Sequence, residues 1–167
     1  MINAAIVGLG VWGQTLVSSV QGKSDRIRFT TGVTRTPSKA EAFCREHSIA
    51  LGDDYASMLS DPTIDAVVLA TPNTQHCAEI VAAAEAGKHV FAEKPFTLTL
   101  ADANTALGAL ASQGLKVGIG HNRRFAPNTV ELKRLLDASE LGEPVHIEGQ
   151  FSANLARHEG TWRTSRT

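Results

Sequence analysis

Three glycines, Gly8, Gly10 and Gly13, follow the apolar run Ala4-Ala5-Ile6-Val7 in the spacing G-x-G-x-x-G. That spacing is the fingerprint of a dinucleotide-binding βαβ unit. Gly8 allows a sharp turn out of a strand. Gly10, without a side chain, lets a pyrophosphate approach the backbone, and Gly13 lets a helix pack closely on a sheet. A helix starting at Val11 and Trp12 turns its free N–H groups and positive dipole end toward phosphate. The same glycines fit a tight strand–helix turn with no ligand. The amphipathic segment Thr15 to Val20 and the strand-like run Ile27 to Thr34 that come next supply the context a cofactor turn needs.

The residues after that second run bear on which dinucleotide fits. An acidic residue there holds the ribose 2′-hydroxyl of NAD. Here the stretch is Thr34-Arg35-Thr36-Pro37-Ser38-Lys39, which carries no carboxylate. Thr34 and Arg35 can donate to a 2′-phosphate, for which a guanidinium is well shaped. The reading is NADP ahead of NAD, against the alternative of a solvated polar turn.

Two further groups stand at the ends of apolar runs, where doubly wound folds bind ligands. Thr71-Pro72-Asn73 follows Ala66-Val67-Val68-Leu69-Ala70, and His76 comes three residues later. Thr71, Pro72 and Asn73 suit the nicotinamide side of a cleft, and they equally suit a helix cap and a turn. His76 suits the cleft or the surface. Glu93-Lys94-Pro95 follows His89 to Ala92. The Lys94 ammonium there can hydrogen-bond a substrate hydroxyl and steady an alkoxide as hydride leaves. Glu93 can orient Lys94 or hold ribose hydroxyls. The alternative is a surface ion pair before a turn proline.

Positioning these groups takes alternating elements. Helices are expected from Pro37-Ser38 to about His47, from Tyr55 to Leu59, from Thr71 to Ala86 and from Leu100 to Gln113. Gly87 and Gly114 act as stops. Strands are expected at Ile64 to Ala70, His89 to Ala92 and Lys116 to Gly120; the first reads as buried on both faces. The pattern predicts an α/β fold, a doubly wound, mainly parallel sheet, over residues 1–121. From residue 122 the texture changes. Pro127 opens a helix with the stripe Val130, Leu132, Leu135 and Leu136, and Val145 to Phe151 alternates like a strand exposed on one face. Residues 122–167 are therefore expected to be the truncated start of an α+β sheet domain.

Composition narrows the function classes. The chain has 167 residues, 43% hydrophobic and 20% charged, so a packed core is expected. A net charge of −1 from 16 basic and 17 acidic residues offers no basic footprint for nucleic acid. No stretch is long and apolar enough to span a bilayer, and the apolar start lacks a basic leader, so a cytoplasmic location is expected. Cys44 and Cys77 show no metal-ligand spacing, and no metal is expected.

Taken together, the landmarks resemble the Gfo/Idh/MocA family of NAD(P)-dependent oxidoreductases. They are Gly8-Leu9-Gly10-Val11-Trp12-Gly13, Asp61-Pro62-Thr63-Ile64-Asp65-Ala66-Val67, Ala70-Thr71-Pro72-Asn73 with His76, Glu93-Lys94-Pro95, Arg124-Phe125 with Pro127, and Leu141-Gly142. The resemblance implies a Rossmann domain followed by a mostly antiparallel sheet domain. It implies that Lys94 lies at the nicotinamide and the substrate, often beside a cis bond to Pro95, and that the substrate is a sugar, inositol or related polyol. The family's D-x-x-x-H motif has no match, since His158 has no aspartate four residues before it, nor does His121 fit. The expectation is a fragment of a longer enzyme or a shortened relative, able to bind a dinucleotide but not to turn over a polyol alone. An exposed lysine titrates near pKa ~10.4 and is a poor base unless desolvated. The rival is a non-catalytic dinucleotide-binding module acting as a redox sensor or partner subunit. An unpaired strand at Val145 to Phe151 would have open edges, which leaves a homo-oligomer open.

Overall fold

A computed structural model describes residues 1–150 and Ser152. It divides into two compact units, Met1–Gly120 and the part from His121 onward.

The first unit is a parallel sheet of β1 (Ile2–Val7), β2 (Ile27–Val33), β3 (Ala50–Leu51), β4 (Ala66–Leu69), β5 (His89–Ala92) and β6 (Val117–Ile119). The strands lie in the order β3-β2-β1-β4-β5-β6, every neighbouring pair parallel. The helices are α1 (Val11–Val20), α2 (Glu41–Glu46), α3 (Tyr55–Leu59), α4 (His76–Glu85) and α5 (Leu100–Ser112). Chain order reverses at β1, which has β2 on one side and β4 on the other; this switch point is where such sheets open a crevice at their carboxyl edge.

Side chains alternate across the sheet because successive residues of a strand face opposite ways. Ala4, Ile6 and Val68 join Val17 and Cys44 in one core, while Ala5, Val7, Val67 and Leu69 join Ile80, Ala83 and Leu110 in the other. Both faces are therefore covered, as a parallel sheet requires. Full burial of a side chain such as Ile6 or Leu69 contributes about 1.5–3 kcal/mol, and both are 0% exposed.

Several boundaries differ from the sequence expectation. The helix expected from Pro37 is a 3-10 turn, Pro37–Lys39, followed by the separate α2. The two-residue β3, which no periodicity could announce, pairs with β2 at Thr31 and Gly32. A β-bulge lies between β1 and β2, where Ala4 pairs with Phe29 but Ala5 with Thr31. Thr30 is the extra residue, and its buried Oγ1 has no partner. Lys88 is buried, with Nζ donating to the carbonyls of Asp61 and Ile64 at 2.7 and 2.8 Å. It ties the turn before β4 to the start of β5. Helices α4 and α5 do stop at Gly87 and Gly114, both at positive φ.

In the second unit a 3-10 turn, Asn122–Phe125, leads to α6 (Pro127–Asp137) with Pro127 at its first position. Ion pairs Lys133–Asp137 and Arg134–Glu131 lace its exposed face. The expected strand at Val145 to Phe151 is corrected for its described part: residues 145–150 are not strand. Alternation creates a strand only when a neighbour takes up its backbone hydrogen bonds, and among the described residues this segment has none. Phe151 and residues 153–167 lie outside the described residues.

Candidate dinucleotide and substrate site

The register brings the exits of five strands into one row. Val7 stands beside Val33 and Leu69, Leu69 beside Ala92, and Ala92 beside Ile119. One step further, Thr34, Gly8, Ala70, Glu93 and Gly120 therefore line the carboxyl edge in that order. Main-chain bonds continue the ladder there: Gly8 N–H to Val33 O at 2.8 Å, Ala70 N–H to Val7 O at 2.8 Å, Glu93 N–H to Leu69 O at 3.0 Å and Gly120 N–H to Ala92 O at 2.9 Å. From Thr34 to Glu93 is three inter-strand steps, about 14 Å at the usual strand spacing.

At the switch point the glycines differ in what demands them. Gly8 has φ +93°, and a Cβ on it would lie 2.7 Å from the Ala70 carbonyl oxygen. A Cβ on Gly13 would overlap the Gly8 carbonyl oxygen, so helix and turn close on each other only without one. Gly10 is different: its φ is −71°, and among the described residues no atom beyond its chain neighbours lies within 4 Å of where its Cβ would stand. Its bareness faces open space, as a cradle for a phosphate requires. Gly10 caps α1 with no side-chain acceptor, the first turn carries no acidic residue, and the Gly10 carbonyl accepts from Gln14 N–H at 3.0 Å. The N–H groups of Val11, Trp12 and Gly13 thus precede the first closed helical turn, and helix starts of this kind attract anions. These residues fit a dinucleotide pyrophosphate.

At the β2 end, Arg35 is exposed and Thr34 half-buried. No hydrogen bond or ion pair to Arg35 occurs among the described residues. At the β4 end, Thr71, Pro72 and Asn73 are half-buried. They form a turn rather than the helix start, because α4 is capped at Gln75 and begins at His76. The Thr71 hydroxyl donates to Glu79 Oε2, 2.5 Å away, and Thr71 lies four residues before the α4 cap, which has no side-chain cap bond. Burial pushes the Glu79 carboxyl above its ordinary pKa, partly offset by that hydrogen bond and by His76. Glu79 also accepts, through its carbonyl, the Tyr55 hydroxyl at 2.7 Å. Burial, with Glu79 nearby, raises the Tyr55 phenol well above the usual range.

His76 is 1% exposed, which corrects the surface alternative. Its Nδ1 lies 3.0 Å from Pro95 O and 3.2 Å from Phe96 O, and its Nε2 3.2 Å from Thr71 O. Both ring nitrogens face main chain, leaving neither for a cofactor. The signal for this burial was present in the sequence: His76, Ile80, Ala83 and Ala84 recur at the spacing of one helix face, and all four are buried.

At the β5 end the Lys94–Pro95 bond is cis. Lys94 is exposed, while Glu93 is 8% exposed with Oε2 accepting from Lys94 N–H at 3.3 Å. The side chains of Glu93 and Lys94 do not form the surface ion pair that the triplet also allowed. Among the described residues no group of His, Cys, Asp and Glu is placed to hold a metal ion. No helix among them is long and apolar enough to cross a membrane.

Residues 2–121 match the oxidoreductase family described as having an NAD-binding Rossmann fold, GFO_IDH_MocA. The chain belongs to this family. Among family relatives, the scyllo-inositol 2-dehydrogenase (NAD(+)) of Bacillus subtilis is 35% identical over 153 residues, covering 89% of this chain and 44% of its own. Inositol 2-dehydrogenase 1 of Saccharopolyspora erythraea is 34% identical, covering 87% of this chain and 44% of its own. The crystal structure of scyllo-inositol dehydrogenase from Lactobacillus casei with bound NAD(H) and scyllo-inositol superposes with a TM-score of 0.80 at 28% identity, covering 86% and 43% of the two chains. The chain thus spans less than half the length of these Gfo/Idh/MocA relatives. What it holds is an NAD-binding Rossmann domain of the family.

Proposed function

We propose that the protein to which this chain belongs transfers a hydride between NADP(H) and a sugar, an inositol or a similar polyol. The observation that carries the reading is the single row of strand exits. It sets a phosphate-suited loop, the glycine turn, the Thr71–Asn73 turn and the Glu93–Lys94 pair along one edge in the order that an extended dinucleotide and its substrate need. The similarity to inositol dehydrogenases supports the polyol.

The bound dinucleotide supplies the hydride acceptor or donor. Gly8, Gly10, Val11, Trp12 and Gly13 grip its pyrophosphate through main-chain N–H groups and space. Thr34 and Arg35 read the 2′-phosphate; the choice of NADP over NAD rests on this unpaired guanidinium and on the absence of a carboxylate in 34–39. Thr71, Pro72 and Asn73 line the nicotinamide side. Glu93 offers its shielded carboxylate to ribose hydroxyls. Lys94 meets the substrate, donating to the reacting oxygen and stabilising negative charge as it develops there.

Fluorescence titration of the chain with NADPH and NADH, followed by addition of scyllo- and myo-inositol, tests the reading. Tight binding of NADPH with weaker binding of NADH is the expected result. Failure to bind either dinucleotide overturns it.

A further inference from the structure

We infer that His76 is a positioning residue that sets the place of Lys94 from behind, through its contacts with the chain just after it. The inference rests on the functional reading above, since it concerns the nicotinamide end of that site.

Three segments converge on His76. It opens α4, the helix that runs back from the β4 exit, and its ring lies among the carbonyls of Thr71, Pro95 and Phe96 at 3.0–3.2 Å. Thr71 starts the turn that leaves β4, and Pro95 and Phe96 follow Lys94 directly. Thr71 is held a second time, by its hydroxyl on Glu79 Oε2. Glu79 stands three residues after His76 in α4. One turn of one helix thus holds both loops that flank the nicotinamide end.

These contacts matter because little else holds Lys94. Its side chain is exposed and makes no hydrogen bond or ion pair among the described residues. Its main-chain N–H has only the 3.3 Å contact to Glu93 Oε2. Pro95 brings no N–H to anchor the loop. The backbone alone therefore sets where the Lys94 side chain is rooted and the region its ammonium can reach, and on the far side of Lys94 that backbone is held through the Pro95 and Phe96 carbonyls. A buried imidazole in this place has a specific use. It is a rigid, two-ended group, and 1% exposure protects its hydrogen bonds from competition by water.

Isosteres separate the two ends of the ring. The amide nitrogen of asparagine can stand where Nδ1 stands and donate to Pro95 and Phe96. That of glutamine can stand where Nε2 stands and donate to Thr71. Phenylalanine fills the space and donates nothing. The experiment compares the parent chain with H76N, H76Q and H76F by titration with NADPH and with 2′-phospho-ADP-ribose, which lacks the nicotinamide.

The expected result is that H76Q and H76F lose about three- to tenfold in NADPH affinity, the worth of one hydrogen bond. Binding of 2′-phospho-ADP-ribose stays unchanged in all, and H76N stays within a factor of about two of the parent. If H76F fails to fold, H76N and H76Q still carry the comparison. Equal losses for both ligands, equal behaviour of H76N and H76Q, or no loss in H76Q overturns the positioning role alone. A parent chain that binds neither ligand overturns the functional reading and, with it, this inference.

Discussion

The carboxylate of Glu93 lies where a side chain at Gly120 would have to go: a Cβ on Gly120 would stand 2.6 Å from Glu93 Oε1 and 3.1 Å from Oε2. The last residue of the β6 exit is thus the floor under the acidic group of the site. Both are buried at the carboxyl edge. Gly120→Ala should push the carboxylate aside, a movement of a flexible side-chain end rather than of backbone. The loss of stability should stay within about 1 kcal/mol, or about 2–4 °C in thermal midpoint. Affinity for NADPH should fall to that of Glu93→Ala. Melting curves and fluorescence titrations of the two variants check this, and a Gly120→Ala chain that binds like the parent would remove Glu93 from the site.

The glycine turn separates fold from ligand. Gly13→Ala sets a methyl group on the Gly8 carbonyl and should cost about 1–3 kcal/mol or more of stability. Gly10→Ala should cost about 1 kcal/mol or less, the ordinary difference at a helix N-cap, while weakening dinucleotide binding. Urea unfolding and cofactor titration on the same samples give both numbers.

On the proposed reading, Arg35 is the lever on cofactor choice. Removing one charge-assisted contact costs about 1.5–3 kcal/mol. Arg35→Ala should therefore weaken NADPH by about tenfold or more and leave NADH nearly unchanged. Isothermal titration with both cofactors measures this, and equal affinities of the parent chain for NADPH and NADH would end the assignment.

Lys94 should behave as a group that acts where charge develops. In a preparation that reduces NADP with a polyol, Lys94→Ala should weaken NADPH by about three- to tenfold, as displacing the Lys94 loop does, and should lower kcat by far more. Steady-state kinetics beside a cofactor titration tests the split; unchanged turnover with lost binding would move Lys94 to the ribose or pyrophosphate.

Glu79 gives a pH signature. Its carboxyl is raised above the ordinary 4.5 by burial. The native state therefore holds a proton that the unfolded chain releases, and stability falls as pH rises from 4.5 through the folded value. Glu79→Gln removes that penalty while leaving an acceptor for the Thr71 hydroxyl. The variant should be more stable than the parent at neutral pH, with the difference closing as pH drops below the ordinary carboxylate range. Urea unfolding across this range reads it.

How much of this was legible in the residues depended on what each signal measures. β5 was readable to the residue because an apolar run at His89 to Ala92 ends against Glu93-Lys94-Pro95. The end of α5 was readable because Gly114 takes a conformation that few other residues accept. The start of α4 was not, since Thr71 and Asn73 are ordinary capping types; it was a distant partner, Glu79, that claimed the Thr71 hydroxyl. Val145 to Phe151 alternates like a strand, but alternation describes one face and says nothing of a neighbour. In the candidate site, the glycines stood out by type and spacing, whereas Glu93-Lys94-Pro95 read alone as well as a surface ion pair and stood out only through the resemblance to a family. The partners of His76 could not be read, because they are main-chain carbonyls, and carbonyls carry no sequence.

The difference between Gly10 and its two companions has a consequence for how such chains can diverge. Gly8 and Gly13 are demanded by the packing of turn, helix and β4 exit, so a descendant that gave up its cofactor would still be bound to keep them. Gly10 answers to no atom among the described residues. Once the ligand is no longer selected for, position 10 is free to drift, and its residue becomes a record of whether a lineage still carries the dinucleotide.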